Sequence, residues 1–484
     1  MSDYEAVIGL EIHIELNTQS KMFCDCEVAF AGEPNTRTCE VCLGMPGSLP
    51  VTNEKAIQYI AKLGLALNCE IANFTQFHRK NYFYPDMPKD YQISQFDLPV
   101  AGKGYLDIES DTGEFKRIGI TRAHIEEDTG KMLHISRTGR IHGADYSLVD
   151  FNRAGTPLAE VVTEPDIRNP DDARIFMQSL RNIALHLGIS DVNMEEGSLR
   201  VDANVSLRKV GQKELGTKTE VKNMNSFRAL KRALDFEIAR HTKLLEAGER
   251  VVQETRHWDD AGGKTTSLRS KEEAHDYRYF PEPDLVPLTL KPSYIEEIRA
   301  TLPELPEARR KRFEDQYSLV PHDARVLSFE KAVGDFFEES AKDYKNYKSL
   351  VNWIMGEFSY HLNNQGLAID ECALTPKHLV QLLKMIDDNT ISGKIAKEVF
   401  DEMFNTGKLP SVIVEEKGLT QITDQSEIEK VVDMVLEENP QAVTDLKEGK
   451  DRALGFLVGQ VMRLTKGKAS PELVNKLLWE KIKQ

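Results

Sequence analysis

The sequence predicts an α+β fold that continues into helices, and two observations support this prediction. Short strand-like stretches separated by turn signals dominate residues 1–292. From residue 293 onward the apolar residues recur at helical spacing instead. At 484 residues the chain is also too long for one ordinary domain. A break at Pro410 divides the helical part, so the predicted domains are 1–292, 293–407 and 408–484.

Three helices and one linker are predicted in the first part of the chain. The helices cover residues 54–67, 170–187 and 226–247. Asn169, directly before Pro170, favours a helix start, because an asparagine side chain caps free backbone N–H groups and proline suits the first helical position. The proline-rich residues 280–292 predict a linker that leaves the first domain.

Three of the predicted strands carry polar residues at every second position. These residues are Glu11, His13 and Glu15 in the first strand, Arg200, Asp202, Asn204 and Ser206 in the second, and Lys218, Glu220 and Lys222 in the third. Successive side chains of a strand point to opposite faces, so each strand can turn an apolar row to a core and a polar row to a shared cavity. For any single strand a solvated sheet face is the simpler interpretation. Three such faces together favour a floor for metal ions and phosphates.

Four of the six cysteines are clustered, as Cys24-x-Cys26 and Cys39-x-x-Cys42. The N-terminal sequence lacks the basic and apolar regions of an export signal, and we expect a cytoplasmic protein without a membrane segment. In that compartment this spacing favours zinc over disulfides. Four thiolates leave no open ligand position, so the predicted zinc is structural.

The charge distribution bears on nucleic-acid binding. A net charge of -16 argues against a general nucleic-acid coat. Residues 447–484 nevertheless carry nine Lys or Arg against four Asp or Glu. Arg463, Lys466 and Lys468 are the cations that we predict to contact RNA phosphates. A solvated helix face and a protein-docking arm remain alternatives for this segment.

Several familiar nucleotide and nucleophile motifs are absent from the sequence. Gly262-Gly263-Lys264-Thr265 lacks the first glycine and the preceding apolar strand of a phosphate-binding loop, so a turn is predicted there. There is also no glycine-rich dinucleotide fingerprint, no nucleophile-elbow serine and no serine-rich amidase signature. Any ATP bound by this chain therefore needs another architecture.

Five segments give the chain a family resemblance that runs from end to end. They are Val7-Ile-Gly-Leu-Glu11-Ile-His13, Phe77-His-Arg79-Lys80-Asn-Tyr82-Phe-Tyr84-Pro-Asp86, Asp150-Phe-Asn152-Arg153-Ala-Gly155-Thr-Pro157-Leu, Met194-Glu-Glu196-Gly-Ser198-Leu-Arg200-Val-Asp202-Ala-Asn204-Val-Ser206 and Glu220-Val-Lys222-Asn223-Met-Asn225-Ser226-Phe. The chain resembles the GatB family, the B subunits of the bacterial aspartyl/glutamyl-tRNA(Asn/Gln) amidotransferases.

The resemblance implies a fold, an activity and partners. The implied fold is a cradle-like, mostly antiparallel sheet domain, an all-helical domain and a small helical tail domain that contacts the tRNA. The implied activity is phosphorylation by ATP of the side-chain carboxylate of Glu-tRNA(Gln) or Asp-tRNA(Asn), followed by amidation with ammonia. An amidase A subunit supplies the ammonia, and a small C subunit completes a heterotrimer. Neither a membrane nor DNA is an implied partner.

Transfer of a phosphoryl group requires metal ions and fixed cations. We therefore expect several residues of the chain to bind these ions or to supply the positive charge. The expected catalytic residues are Glu11, His13, Glu126, Glu127 and Lys80. The expected Mg²⁺ ligands are Glu11, Glu126 and Glu127 with His13, which either orients a metal-bound water or reflects a site that also accepts Mn²⁺. The expected nucleotide-binding residues are Arg79, Arg200, Asp202, Asn204 and Glu220.

Two alternatives remain at this stage. Glu160 and Glu164 are interpreted as surface partners of nearby arginines, and Glu15 as a solvated edge charge. The whole chain could also be a non-catalytic, zinc-stabilised tRNA-binding scaffold. Only catalysis explains a carboxylate-rich floor, because phosphate oxygens repel carboxylates unless metal ions intervene.

Overall fold

The computed structural model of the protein describes residues 3–135, 143–270, 277–420, 425–447, 451–465 and 468–483. The chain divides into two compact units, Met1–Pro306 and Glu307–Gln484. The first unit combines sheets and helices and the second is helical, which confirms the predicted α+β class. Within the described ranges, no helix is both long and apolar enough to cross a membrane.

Among the described residues, the first unit contains all the strands and four helices. The strands are β1 (Tyr4–Glu15), β2 (Phe74–Thr75), β3 (His78–Asn81), β4 (Tyr91–Ser94), β5 (Gly104–Glu109), β6 (Phe115–Glu127), β7 (Lys131–Ile135), β8 (Tyr146–Asp150), β9 (Pro157–Thr163), β10 (Leu199–Lys209), β11 (Thr219–Lys222), β12 (Glu254–Asp259), β13 (Lys264–Ser270), β14 (Phe280–Pro281) and β15 (Leu288–Thr289). The helices are α1 (Glu54–Ala66), α2 (Pro170–Leu187), α3 (Phe227–Glu246) and α4 (Pro292–Ala300).

An eight-stranded sheet in the order β13-β12-β11-β10-β1-β9-β6-β5 forms the centre of this unit. Its neighbouring strands are antiparallel except for the parallel pair β11 and β12. Smaller sheets are formed by β14-β3-β4, by β15-β2 and by β7-β8. The central strand β1 thus lies between β10, which is far away in sequence, and β9.

The two faces of the central sheet differ as strand alternation requires. Apolar residues of β1 such as Ile8, Ile12 and Ile14 are fully buried in one core with residues of α1, α2 and α3. Burial of each such side chain stabilises the fold by about 1.5–3 kcal/mol. The same core includes Ile295 and Ile298 of α4, so this helix packs on the first unit.

The sequence prediction for α2 is confirmed at both ends. The Asn169 side chain accepts a hydrogen bond from the backbone N–H of Asp172, and Pro170 occupies the first turn. The helix ends at Gly188, whose φ of 64° is a left-handed conformation that glycine adopts without strain. Helix α3 is capped in the same way by the Ser226 side chain.

The prediction of a linker over residues 280–292 is wrong for part of that segment. Strand β14 pairs with β3, and β15 pairs with β2. Between them the buried Glu282 binds Arg79 with distances of 2.7 Å and 2.9 Å. Proline is tolerated at the ends of such short edge strands, which is why a proline-rich sequence still forms them.

The second unit consists of helices with two separate apolar cores. The helices are α5 (Pro306–Tyr317), α6 (Pro321–Phe329), α7 (Lys331–Asp343), α8 (Tyr347–Trp353), α9 (Ser359–Gln365), α10 (Pro376–Asp387), α11 (Gly393–Thr406), α12 (Pro410–Lys417), α13 (Gln425–Glu438), α14 (Pro440–Lys447), α15 (Asp451–Leu464) and α16 (Pro471–Lys483). A π-helical turn, Ile354–Phe358, joins α8 to α9. One core holds residues between Phe313 and Val414, and the other holds residues between Ile428 and Ile482.

We predict that Asn169→Ala opens the start of α2. Loss of the cap costs about 1 kcal/mol, which corresponds to a roughly fivefold increase in local hydrogen exchange. Mass spectrometry of peptides covering the first turn of α2 measures this exchange. Gln178→Ala, further along the same helix, is the control and leaves the first turn unchanged. Equal exchange in the native chain and in Asn169→Ala would contradict the capping role.

Candidate active site

The polar face of the central sheet gathers residues from six neighbouring strands, because directly paired residues lie on the same face. Glu11 lies opposite Asp202, and His13 lies between Arg200 on one side and Glu160 on the other. The same face continues through the pairs Glu160 with His124, Asn204 with Glu220, and Lys222 with His257. The predicted polar floor is therefore present and wider than the three strands on which it was predicted.

His13, Glu126 and Glu160 form the closest cluster on this face. The distances from His13 Nε2 to Glu126 Oε1 and to Glu160 Oε2 are 3.4 Å and 3.6 Å. His124 Nε2 lies 3.2 Å from the same Glu160 oxygen. Burial alone would lower the pKa of His13, but its hydrogen bond to Glu126 and the charge of Glu160 raise that pKa above the ordinary value.

Lys80 of β3 adds a cation beside this cluster. Its Nζ lies 4.0 Å from Glu126 Oε2 and 5.2 Å from the centre of the Tyr277 ring. Burial opposes the charge of Lys80, yet the carboxylate of Glu126 raises the pKa of Lys80. Conversely, burial would raise the pKa of Glu126, and the charge of Lys80 with the hydrogen bond from His13 lowers it. Glu126 is thus a buried carboxylate that the charge of Lys80 and the hydrogen bond from His13 stabilise as an anion.

The His13, Glu126 and Glu160 cluster fits a divalent metal ion. One ligand atom from each residue lies within 4.8 Å of the other two. Neighbouring ligands of an octahedral Mg²⁺ ion lie roughly 3 Å apart, because metal–oxygen bonds are about 2.1 Å long. The distances from His13 to the two carboxylates are close to that value. Two carboxylates with one imidazole also suit Mn²⁺.

A second charged cluster lies on the same face next to Glu15. Asp128 binds Arg200 at 2.6 Å and Arg153 at 3.4 Å. Burial and the negative charge of Asp128 raise the pKa of Glu15 to about 8. Burial would also raise the pKa of Asp128, but Arg200 and Arg153 lower it. The pKa values of Glu15 and Asp128 are thus shifted in opposite directions, and the interpretation of Glu15 as a solvated edge charge is wrong.

Glu15 also lines a cavity of about 480 Å³ beside this cluster. Arg153 lines it as well, together with Lys131 and Arg37. Asp150, Asp191 and Glu196 line the same cavity, so its wall carries acidic as well as basic side chains.

The remaining predicted residues of β1, β10 and β11 hold one another in place. Asn204 Nδ2 donates a hydrogen bond of 3.0 Å to Glu11 Oε1. Lys222 contacts Asp202 directly and lies 3.2 Å from Glu220 Oε1. Glu11, Asp202, Asn204 and Glu220 are therefore neighbours on one face, but Glu11 is not part of the His13 cluster.

Two predicted residues lie away from this face. Glu127 follows Glu126 on β6 and so points to the opposite side, where it binds Lys89 and the backbone N–H of Ile93. Arg79 is paired with Glu282 and with Asp284 at 3.0 Å. The structure does not bring Glu127 or Arg79 together with His13.

Sequence reasoning missed Glu160 and His124. The interpretation of Glu160 as a surface partner is wrong, because Glu160 is buried between two histidines. The sequence contains a signal for this site, because Glu160 is the only charged residue of the strand Pro157–Thr163, which is otherwise apolar except for Thr163. A lone carboxylate in a buried strand requires a partner, so it indicates a site.

The four predicted zinc ligands also meet in the structure. One sulfur atom from each of Cys24, Cys26, Cys39 and Cys42 lies within 4.8 Å of the others. Tetrahedral zinc with bonds of about 2.3 Å places its sulfurs roughly 3.8 Å apart, so the donor set fits. A hydrogen bond from Cys24 is the main cause that lowers the pKa of Cys42 to about 4.

Two of the three predicted RNA-contacting cations flank the connection from α15 to α16. Arg463 is exposed near the end of α15, and Lys468 is half-buried before α16. Lys466 lies outside the described residues. The exposed position of Arg463 leaves its guanidinium accessible to a phosphate.

Comparison with known proteins places these features in a family. Residues 6–296 match the family described as "GatB/GatE catalytic domain", and residues 335–482 match the one described as "GatB domain". The B subunit of the aspartyl/glutamyl-tRNA(Asn/Gln) amidotransferase of Carboxydothermus hydrogenoformans is 58% identical over 482 residues, covering 100% of this chain and 99% of that protein. The corresponding proteins of Caldanaerobacter subterraneus and Brevibacillus brevis are 57% and 54% identical, each covering 99% of both chains.

We predict that Glu15→Gln changes how stability depends on pH. The folded pKa of Glu15, about 8, exceeds its ordinary value of 4.5, so its protonation stabilises the fold below 4.5 and this contribution is lost as pH rises to about 8. The variant avoids that loss. The difference between the urea unfolding midpoints of the variant and the native chain should therefore increase as the pH rises from 4.5 to about 8.

Fluorescence of the buried Trp258, with Trp353 and Trp479 replaced by Phe, follows unfolding of the first unit. The exposed Glu70 provides the control variant Glu70→Gln, for which the difference should be constant. A pH-independent difference for Glu15→Gln as well would contradict the raised pKa.

Proposed function

The chain belongs to the GatB/GatE family, and we propose that it activates the side-chain carboxylate of a misacylated tRNA with ATP. Membership makes the chain a ligase-type amidotransferase component. The main support for activation with ATP is the cluster of His13, Glu126 and Glu160, with Lys80 beside it. Carboxylates, an imidazole and a fixed cation are the groups that phosphoryl transfer to an anionic acceptor requires.

The proposed reaction has two steps. A side-chain carboxylate oxygen of Glu-tRNA(Gln) or Asp-tRNA(Asn) attacks the γ-phosphorus of ATP, and ADP leaves. Ammonia then attacks the acyl carbon of the acyl phosphate, inorganic phosphate leaves, and the nitrogen loses a proton to give the amide. An amidase A subunit supplies the ammonia from glutamine, and a small C subunit completes the heterotrimer. Because aminoacyl-tRNA is the substrate, we infer that the chain acts in the cytoplasm.

We propose that His13, Glu126 and Glu160 hold Mg²⁺ during the first step. The ion supplies charge neutralisation at the phosphate oxygens. His124 contacts Glu160 and so fixes the orientation of that carboxylate. Glu11, Asp202, Asn204 and Glu220 extend the same face, and we assign to them a second cation or the nucleotide.

Lys80 and Arg200 supply the fixed positive charges of the proposed site. Lys80 lies beside Glu126, so an anionic acceptor bound at the cluster meets its ammonium group. Arg200 is anchored by Asp128 and lies opposite His13 on the neighbouring strand. Both groups are held before substrate arrives, which avoids reorganisation during the transfer.

The zinc ligands and the tail have supporting roles in the proposal. Cys24, Cys26, Cys39 and Cys42 hold a structural Zn²⁺ without an open position. Arg463, Lys466 and Lys468 bind tRNA phosphates, which adds affinity but little base preference.

We predict that Glu160→Gln removes phosphoryl transfer. The neutral amide weakens the metal-binding cluster, and loss of one such group costs about a hundredfold or more in rate. ADP formation is measured in the complex reconstituted with its partner proteins, with misacylated tRNA and Mg²⁺. Glutaminase activity and tRNA binding in the same samples should remain at the native level.

Glu164→Gln is the matched control, because Glu164 follows the same strand but contacts Thr121 instead of the cluster. Its rate should equal that of the native complex. Unchanged ADP formation in Glu160→Gln would contradict a catalytic role for the polar face, and would favour the scaffold alternative.

We predict that Arg463→Gln combined with Lys468→Gln weakens tRNA binding in a salt-dependent way. Each lost phosphate contact lowers the slope of log affinity against log salt concentration by roughly one. Filter binding of tRNA to the complex at several salt concentrations measures the slope. Lys430→Gln with Lys476→Gln, two exposed cations of α13 and α16, is the control of equal charge. A slope equal to that of the native complex for Arg463→Gln with Lys468→Gln would show that these two cations do not contact tRNA.

A further inference from the structure

Lys21 is a fully buried lysine next to the cysteine cluster, with only 1% of its surface exposed. Its Nζ donates to Arg37 O at 2.9 Å, to Phe151 O at 3.3 Å and to Cys42 Sγ at 3.6 Å. An ammonium group has three N–H bonds, so each has one acceptor in this geometry. These three acceptors therefore hold the Lys21 side chain in one specific position.

The acceptors of Lys21 leave its charge without an obvious counter-ion. Two of the three are neutral backbone carbonyls, and none of the three is a carboxylate. A buried ammonium costs several kcal/mol unless a negative group compensates it. The nearby Glu127 carboxylate binds Lys89 instead. Of these three acceptors, the sulfur of Cys42 is the one that can be an anion.

The backbone conformation at Gly155 leaves space for the Lys21 side chain. Gly155 has a φ of 88°, and a Cβ built there would lie 3.3 Å from Cδ of Lys21. A residue other than glycine would be strained in that conformation and would also press on the lysine stem. Backbone hydrogen bonds from Lys21 N to Cys26 O and from Met22 N to Gly155 O hold both sides of the stem.

We propose that Lys21 supplies the counter-charge of the four-cysteine zinc site. Zn²⁺ bound to four thiolates carries two negative charges, and a buried ammonium 3.6 Å from one sulfur compensates one of them. Lys21 is thus a positioning residue that acts through Cys42 and does not bind the metal. The inference rests on the proposed structural zinc, which the zinc content of the native chain tests separately.

Lys21 also connects the cysteine cluster to the loop after β8. Its bond to Phe151 O joins the loop that carries Arg153, and Arg153 contacts Asp128 beside the polar face. Retention of zinc should therefore depend on Lys21, and the order of the loop after β8 should depend on zinc.

The test compares Lys21→Gln and Lys21→Met with the native chain in the assembled complex. Glutamine keeps N–H donors without the charge, and methionine removes both. In each variant, transfer of zinc to a chromogenic chelator should be about tenfold faster than in the native complex, the lower end of the effect of lost outer-shell partners. Lys55→Gln, on the exposed side of α1, is the control and should match the native rate.

Cobalt substitution provides a second readout that does not depend on activity. Without the ammonium the thiolates are more electron-rich, so the sulfur-to-Co²⁺ charge-transfer band should move to lower energy in both Lys21 variants. A native transfer rate with a native cobalt spectrum in Lys21→Gln would overturn the charge role. A native complex that contains no zinc would overturn the structural zinc together with this inference.

If neither Lys21 variant folds, the native chain provides another test of the pairing between Lys21 and the zinc site. Acetylation of lysines by an N-hydroxysuccinimide ester, read by mass spectrometry, is compared before and after a chelator removes zinc. Lys21 should become severalfold more reactive on zinc removal, and Lys55 should not change. Equal protection of Lys21 in both samples would contradict its pairing with the zinc site.

Discussion

Mutual neutralisation of buried charges on the polar face of the central sheet is the constraint on which the rest of the structure depends. Glu126 and Glu160 both lie within 3.6 Å of His13. Two carboxylates so close in a poorly solvated site repel strongly unless cations are fixed beside them. Lys80 of β3 supplies such a cation beside Glu126, and His124 of β6 contacts Glu160, so the small sheet of β3 and the central sheet must be positioned together.

Features that depend on local sequence were predictable, and features that depend on strand order were not. Asn169 and the length of α2 follow from capping and periodicity over a few residues. Alternation likewise predicts which residues of β1 share a face. Nothing in the sequence states that β9 lies beside β1, however, and only that pairing brings Glu160 opposite His13. The central member of the candidate site is therefore set by register and not by a motif.

Two other predictions show different limits. Glu126 and Glu127 are consecutive residues of one strand, so alternation alone already forbids that both reach the same cavity. Arg79 was assigned from its motif, and its guanidinium is instead used to hold Glu282 in the chain segment before α4. A matched motif thus identifies residues that a family needs, but the contacts decide whether a residue serves the chemistry or the fold.

The segment between the two cysteine pairs holds the loop after β8 in place. The backbone N–H of Arg37 donates to Asn152 Oδ1 at 2.8 Å, and that of Phe151 donates to Asn35 Oδ1 at 2.8 Å. Residues 33–37 between the cysteine pairs therefore fix the loop after β8 through specific hydrogen bonds, while Asp128 holds Arg153 at the end of that loop.

Such fixation matters because a cation contributes fully to an electrostatic site only when its position is set in advance. A loop of this length with few apolar residues has little burial to order it, so cross-linking by a metal is an effective substitute for a core. We propose that zinc bound by the four cysteines orders the loop that carries Arg153, and that the charge of Lys21 makes such a dianionic metal cluster compatible with burial.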